Sequence, residues 1–546
     1  GVSPVLARVY AARGVADARE LDHSLAALPD FTRLANVDIA AARLAQAIDR
    51  RQRVLIVADY DADGATACAV GLLGLRAMGA DVDFLVPNRF EFGYGLTPEI
   101  VAVAAQRAPG IVVTVDNGIA SVDGVRAAAA AGIDVLVTDH HLPGSELPQP
   151  AIIVNPNQPG CTFPSKHIAG VGVMFYVLCA LRSHLRRAGA FAGRSEPNLA
   201  SLLDLVALGT IADVVRLDHV NRILVEQGLA RIRGGRARPG VAALFTVAGR
   251  DIRQATATDL GFVAGPRLNA AGRLADMSLG IRCLIAQSDA EAQPIAHELD
   301  RLNRERRDIE ATMQEEALEA IEATAPAEAS ACTLCVHRAQ WHQGVIGIVA
   351  SRLKDRYHRP AVVFAQGPDN ELRGSARSIA GFHLRDALDR VAKREPGLIV
   401  RFGGHAYAAG LSIAADSLPR FAAAFEAVAR ETLSDALLGR VHESDGALDA
   451  GELTYELGVT LRQPAWGQGF PAPAFDGVFG VADQRSVGDG HARLVLARGS
   501  ERFPAIAFRT LLPLPARIHA LFRPEINRYQ GLSSLELVID HFAPAN

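Results

Sequence analysis

Carboxylates and imidazoles recur in this chain at one kind of place, directly after a short apolar run. Val54-Leu55-Ile56-Val57 leads to Asp59-Tyr60-Asp61-Ala62-Asp63-Gly64, Ile111-Val112-Val113-Thr114-Val115 leads to Asp116-Asn117-Gly118, and Ile133-Asp134-Val135-Leu136-Val137 leads to Thr138-Asp139-His140-His141. Asp59, Asp61 and Asp63 alternate within one turn, where ionised carboxylates repel, and a bound cation relieves that repulsion most simply. Asp and Gly are also ordinary turn residues, so the cluster draws its meaning from Asp116, His140 and His141 at equivalent places elsewhere. Carboxylates with one or two imidazoles and no thiolate suit Mn²⁺ or Mg²⁺ better than Ca²⁺ or structural zinc. More than four candidate ligands in one cleft point to two ions, the arrangement used to cleave phosphoesters.

Such residues converge only if each apolar run is a strand and all the runs end on one sheet edge. Strand and helix patterns alternate from residue 51 to about 155: strands at 53–58, 82–86, 111–115, 133–138 and 151–154, and helices at 65–78, 98–107 and 121–131. That alternation predicts βαβ units and a parallel sheet, whose ligands bind outside the carboxyl ends of the strands. Residues 1–50 are expected to be helical and amphipathic, and 168–233 mostly helical. In the latter, a stripe of Leu202, Leu203, Val206 and Ala207 delivers Gly209-Thr210-Ile211-Ala212-Asp213. Asp213 ends that helix, where a carboxylate opposes the helix dipole, and it gains a role only by facing the cleft.

Further along, a polar helix is expected at 289–323, with Ile295, Leu299, Leu302, Ile309, Met313 and Ile321 on a seam; its length and charge favour a connector between lobes. A second α/β unit spans about 330–430, with strands at Thr333–Val336 and Ala361–Phe364. It carries two small-residue loops with polar donors, Gly374-Ser375-Ala376-Arg377-Ser378 and Phe402-Gly403-Gly404-His405-Ala406. Glycine lets a backbone approach a phosphate, and Ser and Arg bind its oxygens; tight turns have the same composition. Cys332 and Cys335, with His337 and His342 after them, lie three apart in an apolar strand and so face opposite sides, as structural cysteines. After about 440 the texture changes to short β stretches, 477–481, 492–497, 505–508, 517–523 and 535–539, as in a small barrel or sandwich. Arg485, Arg493, Arg498 and Arg502, with Phe503 and Phe508, accompany those stretches.

The chain has 546 residues, enough for three or four domains, and a net charge of −4 that neither requires nor excludes a nucleic-acid partner. Six scattered cysteines fit a reducing, cytoplasmic setting. No apolar run approaches the roughly 20 residues of a membrane span.

The order of these motifs resembles a known family. Asp-Tyr-Asp-Ala-Asp-Gly at 59–64, Val-Asp-Asn-Gly at 115–118, Asp-His-His at 139–141 and Gly-Thr-Ile-Ala-Asp at 209–213 are similar to the four motifs of the DHH phosphoesterases. Gly-Gly-His at 403–405 is similar to the signature of the DHH-associated (DHHA1) domain. Pro87-Asn88-Arg89-Phe90 ahead of Gly93-Tyr94-Gly95-Leu96, and Pro266 to Arg273, bring the chain close to the single-strand-specific exonucleases of that family over almost its whole length. Ala376 stands where the family pattern has glycine.

The resemblance implies an α/β fold with a parallel-sheet DHH domain, a long connector helix, a DHHA1 domain and a C-terminal OB-fold β-barrel. The corresponding division is 1–50, an N-terminal helical segment; 51–285, DHH; 286–329, connector; 330–435, DHHA1; and 436–546, OB-fold. It implies two divalent ions, Mn²⁺ or Mg²⁺. Asp59, Asp61 and Asp116 would hold one, and Asp63, Asp116, His140 and Asp213 the other, with Asp116 bridging. His141 and His405 would lie at the scissile phosphate. Arg89, Arg267, Ser375 and Arg377, with Arg273, would bind the 5′ phosphate. The implied activity is metal-dependent 5′→3′ degradation of single-stranded DNA to 5′-mononucleotides in repair and recombination, with single-strand-binding protein and a RecQ-type helicase as partners. The alternatives are a DHH phosphoesterase for short oligonucleotides or cyclic dinucleotides, or a non-catalytic single-strand-binding protein.

Overall fold

The computed structural model describes residues 2–87, 95–328, 331–488, 490–529 and 532–545. They form two compact units, Gly1–Asp300 together with Glu443–Asn546, and Arg301–His442. The elements of the first unit up to residue 212 are helices α1 (Pro4–Ala12), α2 (Val37–Asp49), α3 (Ala62–Met78), α4 (Pro98–Ala105), α5 (Val122–Ala130), α6 (Gly170–Arg187) and α7 (Leu203–Ala212), and strands β1 (Val54–Ala58), β2 (Val82–Leu85), β3 (Ile111–Val115), β4 (Asp134–Thr138) and β5 (Ile152–Val154).

The strands pair in the order β2-β1-β3-β4-β5, every pair parallel. β1 and β3 are buried along their whole length. Unbroken apolar runs of this kind belong in a sheet covered on both faces. Side-chain alternation divides the covering: Leu55 and Val57 join Ile100, Val101, Val125 and Ala128 of α4 and α5, while Ile56 points toward Gly71 of α3 and Met174 of α6. α3 starts at Ala62 rather than at the expected Ala65. Asp61 is its N-cap, accepting from the Asp63 and Gly64 N–H groups, and such a cap draws the helix start back into the acidic turn.

In the second unit, β6 (Leu334–His337), β7 (Ala361–Gln366), β8 (Glu371–Arg377), β9 (Arg401–Gly404) and β10 (Ala408–Ala414) form a sheet in the order β6-β7-β8-β10-β9. β6 and β7 are parallel and the other pairs antiparallel. β6 lies one residue later than expected. The polar helix runs from Asp289 to Glu328, 40 residues and about 60 Å at 1.5 Å per residue. It crosses from one unit into the other. Its Met313 and Ala317 enter a second-unit core with Trp341, Val345 and Val363.

The C-terminal strands β11 (Phe475–Val487), β12 (His491–Arg498), β13 (Glu501–Ala507), β14 (Arg517–Tyr529) and β15 (Leu532–Pro544) close into a barrel ordered β11-β12-β13-β15-β14. This is the five-stranded closure of an OB-fold. The first 50 residues divide between two cores. α2 packs against α6 and β5, whereas α1 places Val5, Leu6 and Val9 in the barrel core beside Phe475, Phe479 and Phe522. A buried ion pair, Arg13 Nη1 to Asp445 Oδ1 at 2.6 Å, locks the end of α1 to the segment leading into the barrel.

Candidate metal centre

Strand order reverses at β1, which has β2 on one side and β3 on the other. The crevice at such a reversal, outside the carboxyl ends, is where open α/β sheets bind ligands. Parallel register aligns Ala58 with Val115 and Val115 with Thr138. The residues that follow, Asp59, Asp116 and Asp139-His140, therefore emerge side by side. Asp116 sits at φ +61°, a left-handed conformation that costs a non-glycine residue free energy and clusters at functional sites. Its N–H donates to the Thr138 carbonyl at 2.9 Å. The Asn117 side-chain amide donates to the Val57 and Val115 carbonyls. The turn is thus tied to three strands.

Three overlapping groups at this edge could each hold a cation: Asp59, Asp61 and Asp116; Asp63, His140 and Asp213; and Asp116, His140 and His141. His140 Nε2 lies 3.1 Å from Asp116 Oδ1, 3.4 Å from Asp213 Oδ2 and 3.9 Å from Asp63 Oδ2. Asp213 is delivered by α7, in which Leu203 through Thr210 are buried, so the carboxylate at its end is held at the cleft. Asp63 is fully buried and accepts from the first two N–H groups of α6, Gly170 at 2.6 Å and Val171 at 2.9 Å; a helix N-terminus favours negative charge there. Gly170 also lets α6 approach closely, since a Cβ there would come within 2.8 Å of Asp116 Oδ1.

The electrostatics call for positive charge. Burial, then the neighbouring Asp61, push the Asp63 carboxyl up to about 7 against the Val171 and Gly170 N–H groups. Burial and the surrounding carboxylates raise Asp116 and Asp213 well above the ordinary range. So many buried carboxylates with an imidazole, all oxygen and nitrogen donors, fit hard divalent ions. Asp139 stands apart. It accepts from the His140, His141 and Ile119 N–H groups and pairs with His141 Nδ1 at 2.8 Å. Although burial opposes it, the His141 contact holds Asp139 below the usual carboxylate range. Burial likewise lowers His141, but Asp139 outweighs it and the imidazole is raised to about 9.

The six carboxylate and histidine positions proposed as ligands, Asp59, Asp61, Asp63, Asp116, His140 and Asp213, are brought together, with His141 beside them. Arg267 is close-held rather than open: its guanidinium reaches Asp300 at 2.8 Å and donates to the Val263 carbonyl. Arg273 lies on the same Gly265–Leu274 helix, and Arg89 lies outside the described residues. In the second unit, Arg377 donates to Ser375 Oγ at 3.1 Å on one face of β8, and burial lowers its pKa. His405 is exposed in the turn between β9 and β10. In the barrel, Phe508 is exposed, but Phe503 is core and Arg498 stacks over it. Sequence reading gave Asp139 no role, although its place between a strand end and two histidines was visible. The Gly170 and Val171 donors carry no side-chain signal at all. Among the described residues, the candidate metal groups all lie at this sheet edge, and Cys332, Cys335, His337 and His342 form none.

Comparison with known proteins places these motifs in a family. The model of the DHH family N-terminal domain matches residues 53–210, that of the DHHA1 domain 329–431, and that of the RecJ OB domain 444–541. The single-stranded-DNA-specific exonuclease RecJ of Dickeya dadantii is 49% identical over 99% of this chain and 96% of its own length. The crystal structure of Thermus thermophilus RecJ in complex with Mn²⁺ superposes with a TM-score of 0.83 at 31% identity, covering 100% of this chain and 76% of that one. The Mg²⁺ complex of the same protein gives 0.76 at 29% identity, over 100% and 75% of the two chains. This chain therefore belongs to the RecJ family of single-stranded-DNA-specific exonucleases, within the DHH phosphoesterases.

Proposed function

We propose that the protein is a metal-dependent 5′→3′ exonuclease that degrades single-stranded DNA to 5′-mononucleotides in DNA repair and recombination. The observation that carries this reading is the convergence of five aspartates and His140 at the β1–β3 reversal, in a unit that also carries an OB-type barrel. Asp59, Asp61 and Asp116 would hold one Mn²⁺ or Mg²⁺, and Asp63, Asp116, His140 and Asp213 a second. When bound, such ions lower the pKa of a water and neutralise charge on a phosphate. Asp139 fixes the His141 ring through Nδ1, which leaves Nε2–H to donate to a phosphate oxygen as charge develops there. His405 is the proposed donor from the second unit. Hydrolysis adds water to phosphorus and breaks the bond to the 3′ oxygen of the terminal nucleotide. Each shortened strand then keeps a 5′ phosphate, the group that Arg89, Arg267, Arg273, Ser375 and Arg377 are proposed to read. A barrel is superfluous for a dinucleotide or pyrophosphate substrate but suits a long single strand.

All six cysteines are free, which supports a reducing, cytoplasmic setting. No described helix is long and apolar enough to cross a membrane. Single-strand-binding protein and a RecQ-type helicase are proposed as partners that present the strand. The test is a pair of matched single strands labelled at the 5′ or the 3′ end, with Mn²⁺ or with EDTA. The 5′ label should leave at once as mononucleotide while the 3′ label stays on long strands, and EDTA should stop both. Early release of the 3′ label, or undiminished cleavage in EDTA, overturns the reading.

A further inference from the structure

The metal-ligand turn after β1 ends at the N-terminus of α3, and helix N-termini carry N–H groups that need acceptors from outside the helix. Here those of Ala62, Asp63 and Gly64 are each accounted for, while Ala65 N–H already makes the first intrahelical bond, to the Asp61 carbonyl at 2.9 Å. Asp61 Oδ1 takes the Asp63 and Gly64 N–H groups. The remaining one, on Ala62, donates at 2.8 Å to Asn269 Oδ1, 207 residues away on the Gly265–Leu274 helix. Ala62 is buried, so water is a poor substitute. The same helix lies hard against the turn three residues further on: a Cβ at Gly272 would fall 1.9 Å from the Tyr60 carbonyl oxygen. Asn269 and Gly272 thus act as one face, gripping the turn at Ala62 and Tyr60, on either side of Asp61.

We infer that Asn269 is a positioning residue for the metal centre, supplying the acceptor for Ala62 N–H so that the carboxylates of Asp59 and Asp61 keep their lone pairs for the cation. The inference rests on the metal reading above. A buried N–H left without a partner costs about 1–3 kcal/mol, and of the carboxylates close in sequence Asp63 already takes the Gly170 and Val171 N–H groups, which leaves those of Asp59 and Asp61. Asp59 Oδ1 already accepts from the Tyr60 N–H at 2.8 Å, and Asp61 Oδ1 from two groups. Without Asn269, the turn would satisfy Ala62 by rotating a metal ligand inward. Asn269 acts through the Ala62 N–H that it accepts, so its effect belongs in metal affinity.

The experiment is calorimetric titration of the full chain with Mn²⁺ alone, without DNA. Asn269→Leu keeps the side-chain shape and removes the acceptor; Asn269→Asp keeps the acceptor. The expected result is a dissociation constant raised roughly 10–100-fold in the Leu variant, and within about threefold of wild type in the Asp variant. Metal-free binding of a long single strand should be the same in all three. Equal Mn²⁺ affinity in wild type and a folded Leu variant overturns the inference. If the Leu variant does not fold, the Asp variant decides: retained affinity supports the inference, and loss of Mn²⁺ binding in that folded protein overturns it. If the wild-type chain itself binds no Mn²⁺, the metal reading fails and this inference falls with it, a result distinct from equal binding by wild type and Leu variant.

Discussion

Metal binding to this site should depend steeply on pH, in a direction set by Asp63. Its carboxyl titrates near 7 in the metal-free protein because burial and Asp61 disfavour its charge. A cation requires the ionised form, so proton and metal compete. Between pH 6 and pH 8 the ionised fraction of a group titrating at 7 rises from about one tenth to about nine tenths. Asp63 alone therefore makes Mn²⁺ bind about tenfold more weakly at pH 6 than at pH 8, roughly 1.4 kcal/mol. Asp116 and Asp213 are raised by the same burial and crowding. Their contributions have the same sign and steepen the dependence. The assay is calorimetric titration with Mn²⁺ at pH 6, 7 and 8 in buffers of different ionisation enthalpy, which yields affinity and protons released together. At least one proton should leave per binding event at pH 6, and fewer at pH 8. An affinity that is flat over this range, or tighter at pH 6, would show that the carboxylates enter the site already ionised and refute the reasoning.

Asp116→Ala removes a member of two of the candidate cation groups and should lower cleavage by at least about 10³-fold, while filter binding of a long single strand survives. Arg377→Ala should shrink the preference for a 5′-phosphorylated over a 5′-hydroxyl end by roughly 10-fold, the loss of one charge-assisted contact, read as the ratio of initial rates on the two ends. Phe508 is 54% exposed beyond β13 and packs edge-on against His491. Phe508→Ala should weaken long single strands by about 1 kcal/mol, one stacked base, with an unchanged salt slope in a fluorescence titration. Arg13→Ala leaves Asp445 buried without its guanidinium, and should cost about 3 kcal/mol in the denaturant unfolding of the barrel without changing Mn²⁺ affinity.

The catalytic sheet was legible because parallel strands buried on both faces leave a plain signature. The runs at 54–58, 111–115 and 135–138 are almost wholly apolar and buried, and the carboxylates and histidines that follow them are forced out at one edge. Local register then carries Asp59, Asp116 and His140 together. What escaped the sequence depends on partners hundreds of residues away. The amphipathic pattern of α1 says that it has a buried face, but nothing in it names the barrel as the cover. Phe503 and Phe508 are visible in the sequence as aromatics beside the β stretches, but not that Phe503 turns into the core while Phe508 lies past the last residue of β13. Arg267 was visible as a cation, whereas its hold on Asp300, 33 residues on, was not.

The seating of α1 in the barrel core has a consequence for the chain during its synthesis. Arg13 and Asp445 are 432 residues apart. At about 5–20 residues per second, the ribosome needs roughly 20–90 s to make the interval between them. Throughout that time Val5, Leu6 and Val9 are off the peptidyl transferase centre without the phenylalanines that will cover them. The sheet that carries Asp59 and Asp116 is made of contacts much closer in sequence and can form first. The barrel is then the last part of the first unit to close, and α1 is an apolar segment that must be shielded, by the growing chain or by a chaperone, until its cover arrives.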